Sequence, residues 1–371
     1  MGPISDAIAA SVKIDLSQII DLQRAVGTLS RYSDFSVATP APTFYSSELT
    51  TAGMYFSRHE GEIRSFKELN EALATLTEKN PDLPLVWRGA QNADWGLHSS
   101  LYRQLIKQNG VVAPEQKPEE AQPYPDEDQM VAAEKSILRL ARADWRFDDM
   151  SALEIFARVQ HVGGPTRLID VSRNPYIAAW FAVEQSSDHD ESDGRLFALA
   201  TRPVLRRGDI VPDAQIRLDD RGASRSPFWH GYEDTVTRQT FDWGTGSLRR
   251  LWIPPAYDAR ILAQNAGFIL DGVPMTSPRT ASYFSKGPKN ENWHRADLLA
   301  ASSVHVKTYS TAIKPRPNQP NLAPTFTYRI SPEGKRDIRS VLESRFGYRL
   351  SSIYPDVSGL SAHLKNFDFS G

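Results

Sequence analysis

The sequence predicts an α+β fold, with helices flanking a mostly antiparallel sheet core. Two observations lead there. Between 195 and 275, short apolar runs recur at close spacing: Leu196–Ala200, Leu251–Ile253, Arg260–Leu262 and Phe268–Leu270. Turn residues separate them, the pattern of strands paired antiparallel. Elsewhere, apolar residues three and four apart follow capping residues, the pattern of helices. Helices around a mostly antiparallel sheet make an α+β fold.

The elements follow in order. Residues 6–30 carry Ile8, Val12, Ile19, Ile20, Leu22, Val26 and Leu29 at helical spacing, so one or two helices are expected. Residues 31–62 have no clear period and read as a loop or a short strand. Ser65, with Glu68 three residues later, is a capping pattern opening a helix over 65–79. Leu85-Val86-Trp87 reads as a short buried strand ending at Arg88-Gly89. Ser99 or Ser100 then caps a helix over 100–108. Residues 109–128 are acidic and proline-rich and read as an exposed excursion. Helices are expected over 129–146 and 151–160, a strand over 167–171 and a helix over 175–185. DHDESDG (188–194) is an acidic turn. Residues 276–324 look loop-rich, with a strand near Ala300 to Val306. Ser331 caps a helix from Pro332 to Arg345, with Pro332 at its first position, and a short helix follows near 357–366. The expected organisation is an N-terminal extension (1–62), a core (63–275) and a C-terminal extension packing on it (276–371).

Composition narrows the function. The chain has 371 residues, 40% hydrophobic and 24% charged, enough for a sizeable core. Its net charge of -2 gives no global basic field for nucleic acid or an anionic membrane. It has no cysteine, so disulfides, thiolate metal sites and cysteine nucleophiles are excluded. No run approaches the roughly 18 apolar residues of a membrane span, and the first residues lack the features of a signal peptide. A cytoplasmic, non-membrane protein is expected. The histidines are scattered, with no HExxH pair, so no metal is expected. There is no Walker loop, GxSxG elbow or GxGxxG fingerprint.

Three blocks carry candidate chemistry. Arg88 ends an apolar strand and can fork two hydrogen bonds onto a pyrophosphate, with Gly89 permitting close backbone approach. The plainer reading is a surface arginine after an edge strand. Ser172 lies between a strand and Pro175, so it is a site residue or an N-cap. Gln160, His161, Thr166, Arg167 and Asp170 cluster around Gly163-Gly164-Pro165, and buried polar groups need partners. Arg167 and Asp170 either pair with each other or serve a ligand. His161 is a general base, a ligand contact or a core histidine. In the third block, Asp258 to Leu270, Gln264 can hydrogen-bond a ribose or an amide but cannot accept a proton.

At these blocks the chain resembles the FRG-domain family, a bacterial and phage-associated family named for an aromatic-Arg-Gly motif. Trp87-Arg88-Gly89 fits that motif, and Gln91, Trp95, Leu97, Ser99, Leu101, Tyr102 and Arg103 fit its continuation. Gln160-His161, Gly163, Pro165-Thr166-Arg167-Leu168, Asp170, Asn174-Pro175, Ala178-Ala179 and Phe181-Ala182 fit the second block. Val171 stands where that family usually has tryptophan, and Ser172 where it has threonine. Gln264, Gly267 and Phe268 fit the last block, so the resemblance covers roughly 65–275.

The motif order is also similar to that of ADP-ribosyltransferases of the arginine–serine–glutamate type, although Asp258, Arg260 and Gln264 stand near the place of the glutamate. This second resemblance implies an ADP-ribosyltransferase-like split sheet and NAD as substrate. It implies that Arg88 holds the pyrophosphate, Gly89 pairs with the nicotinamide amide and Ser172 orients Arg88. Gln91, Gln160, Thr166, Arg167, Asp170 and Phe181 would complete the NAD site, with His161, Asp258 and Gln264 beside the chemistry. Asp258, Glu154 or Asp170 would supply the carboxylate. The implied role is a toxin or phage-defence effector modifying a protein or nucleic acid, with an antitoxin or regulatory partner. Two alternatives stand beside it: a catalytically silent binding module for nucleotide, nucleic acid or partner protein, and a metal-dependent nuclease using Asp148, Asp149, Glu154 or Asp170.

Overall fold

The computed structural model describes residues 50–112, 122–216, 225–256, 258–276, 293–317 and 322–365. The helices expected over 6–30 lie outside the described residues, as do 31–49 of the expected loop and 113–121 of the acidic excursion.

One sheet runs through the chain. Its strands are β1 (Gly61–Ile63), β2 (Leu85–Ala90), β3 (Ile169–Ser172), β4 (Gly194–Ala200), β5 (Gln215–Ile216), β6 (Arg250–Trp252), β7 (Ala266–Leu270), β8 (Lys307–Thr308) and β9 (Pro324–Ile330). They lie in the order β1-β9-β4-β2-β3-β7-β6-β5, with β8 also pairing β9. The helices are α1 (Ala52–Ser57), α2 (Phe66–Lys79), α3 (Ser100–Gln108), α4 (Glu127–Ala143), α5 (Ala152–His161), α6 (Pro175–Val183), α7 (Thr235–Thr240), α8 (Ala259–Ala263), α9 (Arg295–Ala301), α10 (Pro332–Arg345), α11 (Leu350–Ile353) and α12 (Val357–Lys365). No helix among the described residues is long and apolar enough to cross a membrane.

The expected split sheet on a sheet-dominated core is not what the chain forms. The sheet is open and mixed: β1 and β8 run parallel to β9, and β5 runs parallel to β6. Helices hold 41% of the described residues against 15% in strands. Two runs expected as strands are helical or irregular. Arg260–Leu262 lies inside α8, where the Asp258 side chain accepts from the Arg260 N–H. Ala300 belongs to α9, and the chain reaches β8 only at Lys307. A run of two or three apolar residues carries too little period to separate strand from helix.

Burial explains the rest. β4 is buried along its whole length because both faces of the sheet are covered there. On one face Trp87, Leu196 and Ala198 pack under α2, α6 and α10. On the other, Val86, Phe197 and Leu199 meet Tyr55 and Phe56 of α1 and Leu298 of α9. The helix starts follow local chemistry: Ser65, Ser99 and Ser331 each accept a first-turn N–H. Ser151 and Glu154 form a reciprocal capping box on α5. Ser151→Ala is expected to lower stability by about 1 kcal/mol, read as a shifted urea midpoint. The segment expected as an exposed excursion ends differently: Tyr124 and Glu127 are buried, and Glu127 opens α4.

Candidate functional site

β2 runs alongside β4 from Leu85 to Ala90, and β3 alongside β7 from Ile169 to Ser172. Between β2 and β3 the ladder holds a single pair, Trp87↔Ser172. Where they part, a cleft of about 1060 Å³ opens, lined by both strands. The start of α3, the ends of α5 and α6, α8 and Tyr354 form its other walls.

Arg88 stands in the gap between the two strands. It is on a central strand, not an edge strand. Its Nη1 donates to the Asp170 carbonyl at 2.7 Å and lies 3.6 Å from the Asp170 carboxylate. Arg103, on α3, lines the same cleft and donates to the His98 carbonyl at 2.6 Å. Burial, and then repulsion from Arg88, lower the Arg103 pKa below its ordinary value, and Asp170 opposes them. Two guanidinium groups thus share one nearby carboxylate, which suits an anionic ligand. Gln160 fixes Asp170, donating to its carboxylate at 3.0 Å and to the Leu168 carbonyl at 3.1 Å. His98 also lines the cleft; burial first, and Arg103 in addition, push its imidazole down to about 4, against the Leu299 carbonyl it faces.

The remaining candidates also line the cleft. His161 Nε2 lies 3.4 Å from Asp258. Their donor atoms and one of Asp356 lie within 4.8 Å of one another, a spacing that suits a metal ion. Asp356 is already engaged: Arg260 donates to both its oxygens at 2.6 and 2.8 Å, which holds its carboxyl well below the usual range against a burial effect that raises it. The Gln264 side chain donates to the Ile353 carbonyl at 3.1 Å, and Gln91 donates to the Glu184 carbonyl at 3.4 Å. Phe181 lies edge-on to Tyr354, with ring centroids 6.0 Å apart.

Several candidates do other work. Ser172 does not orient Arg88: its hydroxyl donates to the Gln264 carbonyl at 2.7 Å and accepts from the Asn174 N–H at 3.0 Å. Asn174, not Ser172, caps α6, with Pro175 at the first turn. Gly89 lines the cleft, but its missing Cβ faces α6, where it would lie 2.0 Å from the Ala178 carbonyl oxygen. Thr166 and Arg167 are buried and do not line the cleft. Arg167 and Asp170 do not pair; Arg167 binds Glu127 and Glu134 instead. Thr166 donates to Gln160 and accepts from the Leu168 N–H at 3.2 Å. Glu154 is the capping partner of Ser151, and Asp148 and Asp149 are exposed outside the cleft.

Among the cleft residues that the sequence reading missed, two stand out. Glu184, just beyond α6, has its carboxylate 3.2 Å from the Tyr354 hydroxyl. Burial pushes the Glu184 carboxyl up to about 7, and Tyr354 and Arg339 hold it from rising further. The available signal was its place: one acidic residue directly after nine that are mostly apolar and buried. Tyr354 had no local signal, because a residue 170 positions away from Glu184 reaches it only through the fold.

No curated protein and no solved structure matches the chain. Its match to a family covers the cleft residues Arg88, Gln91, Arg103, His161, Asp170 and Glu184, while Asp258, Arg260, Gln264 and Tyr354 come from beyond it. An FRG domain is present at residues 84–191.

Proposed function

We propose that the cleft binds NAD and that the protein is an ADP-ribosyltransferase-type enzyme, breaking the nicotinamide–ribose bond and passing ADP-ribose to a macromolecule. The observation that carries this reading is the Arg88–Arg103 pair with Asp170 as the carboxylate they share. Two guanidinium groups lining one cleft suit a pyrophosphate. Trp95, 44% exposed on the cleft wall, offers a ring for a base to stack on. A nucleic-acid strand fits less well, since Asp94, Glu184 and Asp258 line the same cleft and oppose a polyanion. On this reading the chain acts as a toxin or phage-defence effector, restrained by an antitoxin or regulatory partner.

The test uses labelled NAD, with and without cell lysate, beside Arg88→Ala. Binding measured by calorimetry is expected to weaken about 10–100-fold in the variant, the worth of a charge-assisted hydrogen bond. Label is expected on macromolecules with wild type only. NAD cleavage without transfer would make the enzyme a glycohydrolase. Neither binding nor turnover in any lysate would end the enzyme reading and favour the binding module.

A further inference from the structure

Four carboxyl side chains line the cleft: Asp94, Asp170, Glu184 and Asp258. Asp170 is committed to Arg88 and Gln160. Asp258 caps α8 and faces His161. Asp94 accepts no described side-chain donor and lies against the Gly53 backbone. Glu184 differs from all three. It is half-buried, no lysine or arginine among the described residues lies at ion-pair distance from it, and its carboxylate partner is a phenol.

That phenol is held firmly. Tyr354 packs edge-on against Trp180 and Phe181, with centroids 5.9 and 6.0 Å away. The Arg260 guanidinium lies over its ring at 5.0 Å. The segment carrying it is stapled to α8 on both sides, by Gln264 on the Ile353 carbonyl and by Arg260 on Asp356. A side chain fixed this way can aim a neighbour's carboxylate.

We infer that Glu184 is the general base of the cleft and that Tyr354 is its positioning residue. The inference rests on the NAD-cleaving reading above. In the step it serves, the C1′–N1 bond of NAD breaks and its electron pair leaves with nicotinamide, neutralising the ring nitrogen. An O–H or N–H nucleophile, from the acceptor or from water, forms the new bond to C1′. The proton it loses passes to the Glu184 carboxylate.

The surroundings suit that role. A base works best when its pKa lies near the working pH, and burial brings Glu184 there, to about 7. From α10, Arg339 favours the charged form at longer range, its guanidinium bound to Asp190 at 2.6 and 3.1 Å. From the end of β2 comes only the neutral amide of Gln91, bound to the Glu184 main chain. From the C-terminal segment comes the Tyr354 hydroxyl, with Arg260 behind its ring. A base must be ionised, so the rate rises with pH through the Glu184 pKa. Tyr354 donates to the carboxylate and favours its charged form, so removing that hydroxyl moves the midpoint upward.

The experiment measures NAD binding and single-turnover cleavage from pH 5 to 9, with and without lysate, for wild type, Glu184→Gln and Tyr354→Phe. Glu184→Gln is expected to lose about 100-fold or more in rate while binding NAD within about twofold of wild type. Tyr354→Phe is expected to move the midpoint to higher pH and to recover most of its rate at pH 9. A Glu184→Gln rate within about threefold of wild type at every pH overturns the assignment and leaves the NAD reading standing. A wild-type rate that is flat across the range overturns the general base. An unmoved midpoint in Tyr354→Phe overturns the positioning role. A wild type that does not cleave NAD overturns this inference and the proposed function together.

Discussion

Arg167→Met is expected to lower stability by about 3–5 kcal/mol, the largest loss from any single change considered. Arg167 is 2% exposed and donates to Glu134 at 2.7 and 3.2 Å, to Glu127 at 3.0 Å and to the Asp271 carbonyl at 3.2 Å. Trp229 and Trp243 flank its guanidinium at 5.7 and 5.3 Å and donate their indole N–H groups to the same two carboxylates. Methionine fills a similar volume but leaves two carboxylates buried without their cation. Those carboxylates must then protonate or return to water. The effect on pH has a definite sign. In wild type, burial raises the Glu134 pKa, but Arg167 and His230 together hold it below its ordinary value. Its stabilising contribution is therefore present above the unfolded-state pKa and is lost as pH falls. Without Arg167 the burial of Glu134 is no longer offset by its main cation and its carboxyl rises above its unfolded value, so the variant is more stable at pH 5 than at pH 8. Urea midpoints at the two pH values check this. Equal midpoints for variant and wild type would show that Arg167 does not hold the network together.

Gly89→Ala is expected to destabilise at the upper end of overpacking changes, about 3 kcal/mol. The added Cβ would lie 2.0 Å from the Ala178 carbonyl oxygen and 2.6 Å from the Ala182 nitrogen. Both obstacles are backbone atoms of α6, so no side chain can swing aside. The helix must leave the sheet or β2 must bend, and either move displaces Arg88 next door. Gly163, with φ +84° and open space around it, gives the contrast: alanine there meets backbone strain alone. Thermal melts of both variants separate steric from torsional loss.

These two residues also show what was legible in the sequence. Helix starts were, because Ser65, Ser99, Ser331 and Pro332 act within one turn of themselves. Arg88, Gln91, Gln160, Asp170, Phe181 and Gln264 were picked from their blocks and do line the cleft. Arg167 and Thr166 came from the same block yet face the core, where Arg167 meets Glu127 and Glu134 and Thr166 meets Gln160. Gly89 was read as room for a ligand where the room is taken by a helix. The parallel pairing of β1 with β9 joins Gly61 to Tyr328 and leaves no local trace. Tyr354 was hidden for the same reason, whereas Glu184 had its place after α6 as a signal.

The reach of Tyr354 also sets an order of events during synthesis. A chain emerging from the ribosome exposes Arg88 and Asp170 early, but β1 has no neighbour until β9 is made, and Glu184 has no phenol until residue 354 appears. The wall carrying Arg88 is thus made long before the cleft is complete. A nascent chain therefore carries Arg88 and Arg103 before the residues that close the cleft around Glu184 exist.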